Sequence, residues 1–166
     1  MQAVTGRSWC YGDHVSTDQI APGRYLKLTN QEMAAHVMEG IDPTFATQVG
    51  PGDFVVAGVN FGCGSSRESA PAGLKYAGVG AVVAKSFARI FFRNAINVGL
   101  PVVVCPQADE IQPRQQLSLH LEEGVLKNLT TGKTYEVTPL PSHIMAILHA
   151  GGMVPWLERE LLSRKA

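Results

Sequence analysis

Apolar and polar positions change their spacing twice along this chain. Residues 4–11 have the make-up of a first strand. The following stretch, Gly12-Asp13-His14-Val15-Ser16-Thr17-Asp18-Gln19-Ile20-Ala21-Pro22-Gly23, is dominated by turn formers and polar groups and reads as a long loop. Thr29 or Asn30 then caps a short helix in which Met33, Val37 and Met38 lie between Glu32 and Glu39. From residue 53 the pattern becomes continuous. Residues 53–58, 80–84 and 101–105 are apolar runs rich in β-branched side chains, suited to strands buried on both faces. Between them, Ala70, Ala72, Leu74 and Ala77 suit a helix packed closely on a sheet. Ser86 is placed to cap a second helix over about residues 87–98, ended by Gly99.

This β-helix-β-helix-β order implies a parallel central sheet with right-handed crossovers and flanking helices, an α/β fold. The last third alternates instead. Residues 117–121, 125–129 and 133–137 are separated by Glu122-Glu123-Gly124 and Thr130-Thr131-Gly132, which predicts a C-terminal β-meander. Ser142 is expected to cap an apolar helix over Ile144 to Leu148, closed by Gly151-Gly152, and a final amphipathic helix is expected from near Pro155. No internal repeat and no dividing linker appears, so residues 1–166 are expected to form a single domain.

Composition changes this picture little. Basic and acidic residues balance at 14 each, which argues against a global basic field for nucleic acid. The middle is nonetheless locally cationic. Arg67, Lys75, Lys85, Arg89 and Arg93 face only Glu68 between Gly64 and Leu100, so an anionic ligand would be drawn there, although on this feature alone a solvated face with helix charges is the preferred reading. Cys10, Cys63 and Cys105 are isolated, without the spacing of a zinc site or a four-thiolate cluster, and are expected to be buried structural thiols. With no apolar N-terminal stretch of signal type and little cysteine, the cytoplasm is the expected compartment and no membrane contact is expected.

Candidate chemistry concentrates in Gly62-Cys63-Gly64-Ser65-Ser66-Arg67-Glu68, between a predicted strand and a predicted helix. Glycines admit close backbone approach, a helix start offers free N–H groups, and two hydroxyls and a guanidinium stand beside them. Such a combination suits a carboxylate or phosphate; the plain alternative is a Ser-capped helix. The segment matches neither a P-loop nor a dinucleotide fingerprint. A second candidate is the loop from Asp13 to Ile20. Ser16 and Thr17 there fit a turn network, whereas Asp18 is harder to explain so. Arg24-Tyr25-Leu26-Lys27-Leu28, with two cations around an aromatic, is a third. His14, His36, His120, His143 and His149 show no ligand spacing and read as structural or exposed.

Five segments taken in order resemble one family. Residues 13–20, Gly23-Arg24-Tyr25-Leu26, residues 60–68, residues 84–94 and Asn97-Val98-Gly99-Leu100-Pro101 look like the mobile C-terminal domain of the aconitase superfamily, in the form made as a separate small subunit. The resemblance implies a swivelling β/β/α domain that closes over a cluster-carrying large subunit. That partner would hold a [4Fe–4S] cluster, one iron acting as a Lewis acid, so this chain itself would bind no cofactor and no metal. The implied activity is that of a hydro-lyase isomerising a hydroxy-di- or tricarboxylate by dehydration and rehydration, inactive without the large subunit.

By the same resemblance, Ser65 matches the serine base that takes the proton next to a carboxylate. Ser66 matches a substrate hydrogen-bonding position, Arg67 the substrate-carboxylate arginine, and Asp18 the aspartate of the active-site loop, with an orienting role. Gly64 and Lys27 complete the expected substrate contacts. Two departures stand out: Ser69 replaces a common histidine, and Lys27 is neither the apolar residue of the isopropylmalate type nor the arginine of the homoaconitase type. The isopropylmalate type is kept first, with homoaconitate, dimethylmalate and citramalate types behind it. Two rivals of other classes are a stand-alone carboxylate-binding module and a purely structural assembly protein.

Overall fold

The computed structural model describes residues 2–166. Strand β1 (Val4–Cys10) pairs in parallel with β2 (Phe54–Ala57), β2 with β3 (Ala81–Ala84), and β3 with β4 (Val102–Val104). On the other side of β1, the meander β5 (Gln116–His120), β6 (Val125–Asn128) and β7 (Thr134–Glu136) runs antiparallel. The order β4-β3-β2-β1-β5-β6-β7 makes one sheet of seven strands, with β1 joining the parallel and antiparallel halves. The expected architecture is therefore present. Every residue of β2 and β3 is buried, as their unbroken apolar runs require. In β6 and β7 burial alternates with the pleat, which is why their sequence alternates.

The connections hold seven helices among the described residues. These are α1 (Thr17–Ile20), α2 (Asn30–Met33), α3 (Phe45–Gln48), α4 (Ser69–Tyr76), α5 (Arg89–Val98), α6 (Ser142–Ala150) and α7 (Met153–Lys165). Helix α4 packs on α2 and α5, and α5 also meets α6 and α7. The small residues of α4 allow this: a side chain on Gly73 would press on Val37 and Met33.

Several boundaries differ from expectation, each for a local reason. The supposed loop at residues 12–23 contains α1, closed by a full capping box between Ser16 and Gln19. Thr29 does cap α2, with Glu32 completing the box, but the helix ends at Met33 and Met38 takes a positive φ of 63°. Ser86 does not cap α5. Its hydroxyl accepts the Asn60 N–H at 2.8 Å, and the helix starts at Arg89 behind Ala88. Ser142 is the first residue of α6 rather than its cap, because Pro141 takes that place. Helix α7 begins at Met153. Met153 and Trp156 pack on the core, but none of its residues is fully buried, and Val154, Leu157, Leu161 and Leu162 are exposed.

A buried carboxylate ties the first two strands together. Asp53 accepts the Arg7 N–H at 2.9 Å, the Trp9 indole N–H at 2.9 Å and the Gly50 N–H at 2.8 Å, and pairs with the Arg7 guanidinium at 3.3 Å. Burial works against its charge, but the Trp9, Gly50 and Arg7 donors outweigh burial and hold the carboxyl below its usual range.

Candidate active site

Strand β2 ends at Ala57, yet the chain beyond it stays in sheet-like register. Phe61 bridges Phe87 and Cys63 bridges Ser16, both in parallel. The Gly62 N–H donates to the Val15 carbonyl at 2.7 Å, and the Thr17 N–H to the Cys63 carbonyl at 2.8 Å. On the other flank the Phe61 N–H reaches Ser86 at 3.1 Å, and the Ala88 N–H reaches Phe61 at 2.9 Å. Residues 61–63 are thus clamped between the continuations of β1 and β3, beyond the carboxyl ends of the parallel strands. Open α/β sheets place their ligands in that region. Phe61 is buried edge-on against Phe87 and Phe91, at 6.1 and 5.2 Å between ring centroids. Gly62 has φ +82°, and a Cβ there would run into the Phe91 ring, so both backbone and space require glycine.

The next residues emerge into solvent. Ser65 and Ser66 are exposed. Neither caps a helix: α4 begins at Ser69 behind Glu68, with no side-chain cap hydrogen bond. Both sequence readings, a helix start at the serines and a Ser-capped helix, are corrected here. The Ser65 carbonyl is engaged by the Thr17 hydroxyl at 2.8 Å, and the Arg67 carbonyl by the Ala70 N–H at 3.1 Å, which delays the helix.

Arg67 folds back under this loop, with its side chain only 18% exposed. Its Nη1 donates to the Asp18 carboxylate at 2.8 Å and to the Ala21 carbonyl at 3.0 Å. Asp18 also accepts the Gly23 N–H at 3.0 Å. The Arg67 hydrogen bond first, and the Gly23 N–H after it, hold the Asp18 carboxyl below the usual aspartate range. It is therefore anionic at neutral pH and no proton donor. Two segments far apart in sequence, one carrying Asp18 and the other Ser65-Ser66-Arg67, are joined by this ion pair.

A cavity of about 290 Å³ opens beside the serines. Thr17, Gly64, Ser65, Ser66 and Arg67 form one wall, and Arg89, Ile90 and Asn94 of α5 contribute the other. Sequence reasoning assigned Thr17 to a turn and Arg89 to a helix face. The excess of cations from Arg67 to Arg93 was the available signal for Arg89. For Thr17 and Asn94 the signal was only their place in the family segments 13–20 and 84–94, since their part in the cavity depends on which elements meet.

Lys27 is exposed on the turn that follows a 3-10 helix at Gly23–Tyr25, and it is not among the residues lining the cavity. The start of that loop does touch the site, because Gly23 lies beside Asp18 and the Arg67 guanidinium. The loop is held by a stack: the Tyr25 ring lies 3.8 Å from the His36 ring, the Arg24 guanidinium sits 4.8 Å from the Tyr25 centroid, and Arg24 pairs with Glu39 at 3.1 Å.

Of the three thiols, only Cys105 is fully buried. Cys10 and Cys63 are half-buried, a correction to the expectation for all three. Burial pushes the Cys10 thiol up to about 11. Among the described residues no group of three or more His, Cys, Asp or Glu is placed to hold a metal ion, and no helix is long and apolar enough to cross a membrane.

Comparison with known proteins adds the following. The aconitase C-terminal domain family matches residues 14–108. A 3-isopropylmalate dehydratase small subunit from Methanopyrus kandleri is 55% identical over 159 residues, covering 95% of this chain and 94% of that one. An isopropylmalate/citramalate isomerase small subunit from Methanocaldococcus jannaschii is 51% identical over 160 residues, covering 95% of each. A crystal structure of 3-isopropylmalate dehydratase from Methanocaldococcus jannaschii has a TM-score of 0.94 and 44% identity, over 99% of both chains.

Proposed function

Because the chain belongs to the aconitase C-terminal domain family, we propose that it is the small subunit of a hydro-lyase of the 3-isopropylmalate dehydratase kind, acting in leucine biosynthesis. The observation that carries the site assignment is the convergence of Ser65, Ser66 and Arg67 on one solvent-open cavity, with Asp18 paired to Arg67 behind it. In this reading Ser65 Oγ takes the proton from the carbon next to a substrate carboxylate. A serine hydroxyl is a weak acid, so the site must stabilise the alkoxide, and Arg67 is the cation that this wall of the cavity carries. Ser66 donates a hydrogen bond to the substrate. Arg67 meets a carboxylate with the N–H groups not engaged by Asp18 and Ala21. Asp18 orients Arg67 by its ion pair, and its anionic state suits that role.

The residues present do not fit an iron–sulfur cluster, since three thiols on separate elements lack a fourth and no ligand group forms around them. We therefore assign the [4Fe–4S] cluster to a large subunit that covers the serine cavity. When bound there, the cluster would supply the Lewis acid that assists departure of the substrate hydroxyl. Heterodimer or heterotetramer, the pair would work in the cytoplasm.

3-Isopropylmalate is the first substrate, as in the names of the relatives. Citramalate is the second, because a relative of nearly equal identity carries both in its name. Lys27 keeps the tricarboxylate homoaconitate on the same test, with dimethylmalate behind it.

The chain is reconstituted anaerobically with a cluster-bearing large subunit and offered isopropylmalate, citramalate and homoaconitate separately. Turnover is expected only in the mixture. Ser65→Ala is expected to abolish it, and Arg67→Lys to raise KM about tenfold or more. Wild-type kinetics in both variants would sink the site assignment. Tight carboxylate binding by the isolated chain, with no turnover in any mixture, would point to a binding module instead.

A further inference from the structure

The cavity beside Ser65 carries two guanidinium groups, and they differ in how far their charge is already answered. Arg67 is mostly buried, 2.8 Å from Asp18, with a backbone carbonyl on the same nitrogen. That pair is close to neutral as seen from the cavity. Arg89 stands on the opposite wall, at the first position of α5. It is exposed, and among the described residues it makes no ion pair and no side-chain hydrogen bond. Helix geometry fixes its place: Phe91 packs under Gly62 in the core, so the first turn of α5 is anchored to the very loop that carries the serines. Arg93, one turn further on, does not line this cavity; it faces a neighbouring groove with Phe92 and Ile144, which Arg89 also borders, so that of the two only Arg89 reaches the serine cavity.

We propose that Arg89 is a substrate-carboxylate residue of this site, the second cation of the small-subunit wall. The inference rests on the dehydratase reading and deepens it. A dicarboxylate brings two negative charges into a space where one arginine is balanced by Asp18. An unpaired guanidinium on the facing wall supplies the missing charge and a planar pair of donors suited to a carboxylate. Its exposure leaves it accessible from the side on which substrate must enter.

The test is steady-state kinetics of the reconstituted two-subunit enzyme on 3-isopropylmalate, with Arg89→Gln, Arg89→Lys and Arg93→Gln beside the wild type. Arg89→Gln is expected to raise KM about 10- to 100-fold while kcat stays within about threefold. Arg89→Lys recovers part of that loss, and Arg93→Gln behaves as wild type. The rise of KM with ionic strength is expected to be shallower in Arg89→Gln, because one screened attraction has been removed. A KM within about twofold of wild type for Arg89→Gln overturns the proposal. So does an unchanged KM with a higher large-subunit concentration needed for half-maximal activity, which would make Arg89 an interface residue. Ser65→Ala, run in parallel, separates the two levels. If it keeps turnover, the dehydratase site itself is misassigned; if it is dead and Arg89→Gln is normal, only the role of Arg89 fails.

Discussion

An ammonium beside an isopropyl group costs free energy when it is stripped of water, and that cost is what made Lys27 awkward in the sequence. In the fold Lys27 is exposed on a turn and keeps its hydration, so the chain alone bears no such penalty. Its influence on substrate choice would be felt on closure against the large subunit. Lys27→Val is expected to lower kcat/KM for tricarboxylate homoaconitate about tenfold and to leave 3-isopropylmalate equal or better. An unchanged ratio in competition assays would remove this loop from the specificity argument. At this scale the legible residues were those whose chemistry is unusual for their local context. Ser65, Ser66, Arg67 and Asp18 stood out as polar groups among glycines and turn formers, and the structure brings them together. Thr17 and Arg89 look ordinary where they stand, a hydroxyl in a turn and a charge on a helix. Their place on the cavity wall comes from what faces them.

Elements followed their apolar periodicity in the interior and departed from it at their ends. Strands β2 and β3 and helix α5 were visible because a buried run or an amphipathic repeat extends over their whole length. Helix starts were less so, because a serine can cap a helix or bond elsewhere: Ser86 serves Asn60, and Ser65 lends its carbonyl to Thr17. The serine loop is an extension of the sheet, and that makes Gly62 its most sensitive point. Gly62→Ala must adopt a left-handed φ and push the Phe91 ring, at a combined cost of about 3 kcal/mol. The urea midpoint of the isolated chain is expected to fall accordingly. A variant as stable as wild type would mean that the loop is not held by the β1 and β3 continuations.

For the molecule as a whole, the join between β1 and β2 is also where acid should attack. The Asp53 carboxyl lies below the ordinary aspartate value when folded, so its contribution is fully present above about pH 4 and is lost as pH falls through the folded value. Asp53→Asn leaves the Trp9, Gly50 and Arg7 donors without a charged acceptor, and is expected to destabilise by about 2 kcal/mol at pH 7. Wild type and variant should converge in urea titrations as the pH falls through the folded carboxyl value. A gap that persists in acid would assign the loss to packing rather than charge.

By itself the sequence determined the strand and helix order, the parallel centre followed by a meander, and the family. Each of these depends on patterns that run along the chain: apolar period, turn residues, and a set of short motifs in fixed order. Tertiary structure alone decided that the β1 and β5 edges meet to make one sheet, that Asp18 closes on Arg67 across 49 positions, and that α5 completes the cavity with Arg89. Such contacts join residues whose separation in sequence carries no signal. They follow from the packing of β2, β3 and the Phe61–Phe91 cluster, which sets where the backbone lies and so which polar groups are within reach of one another.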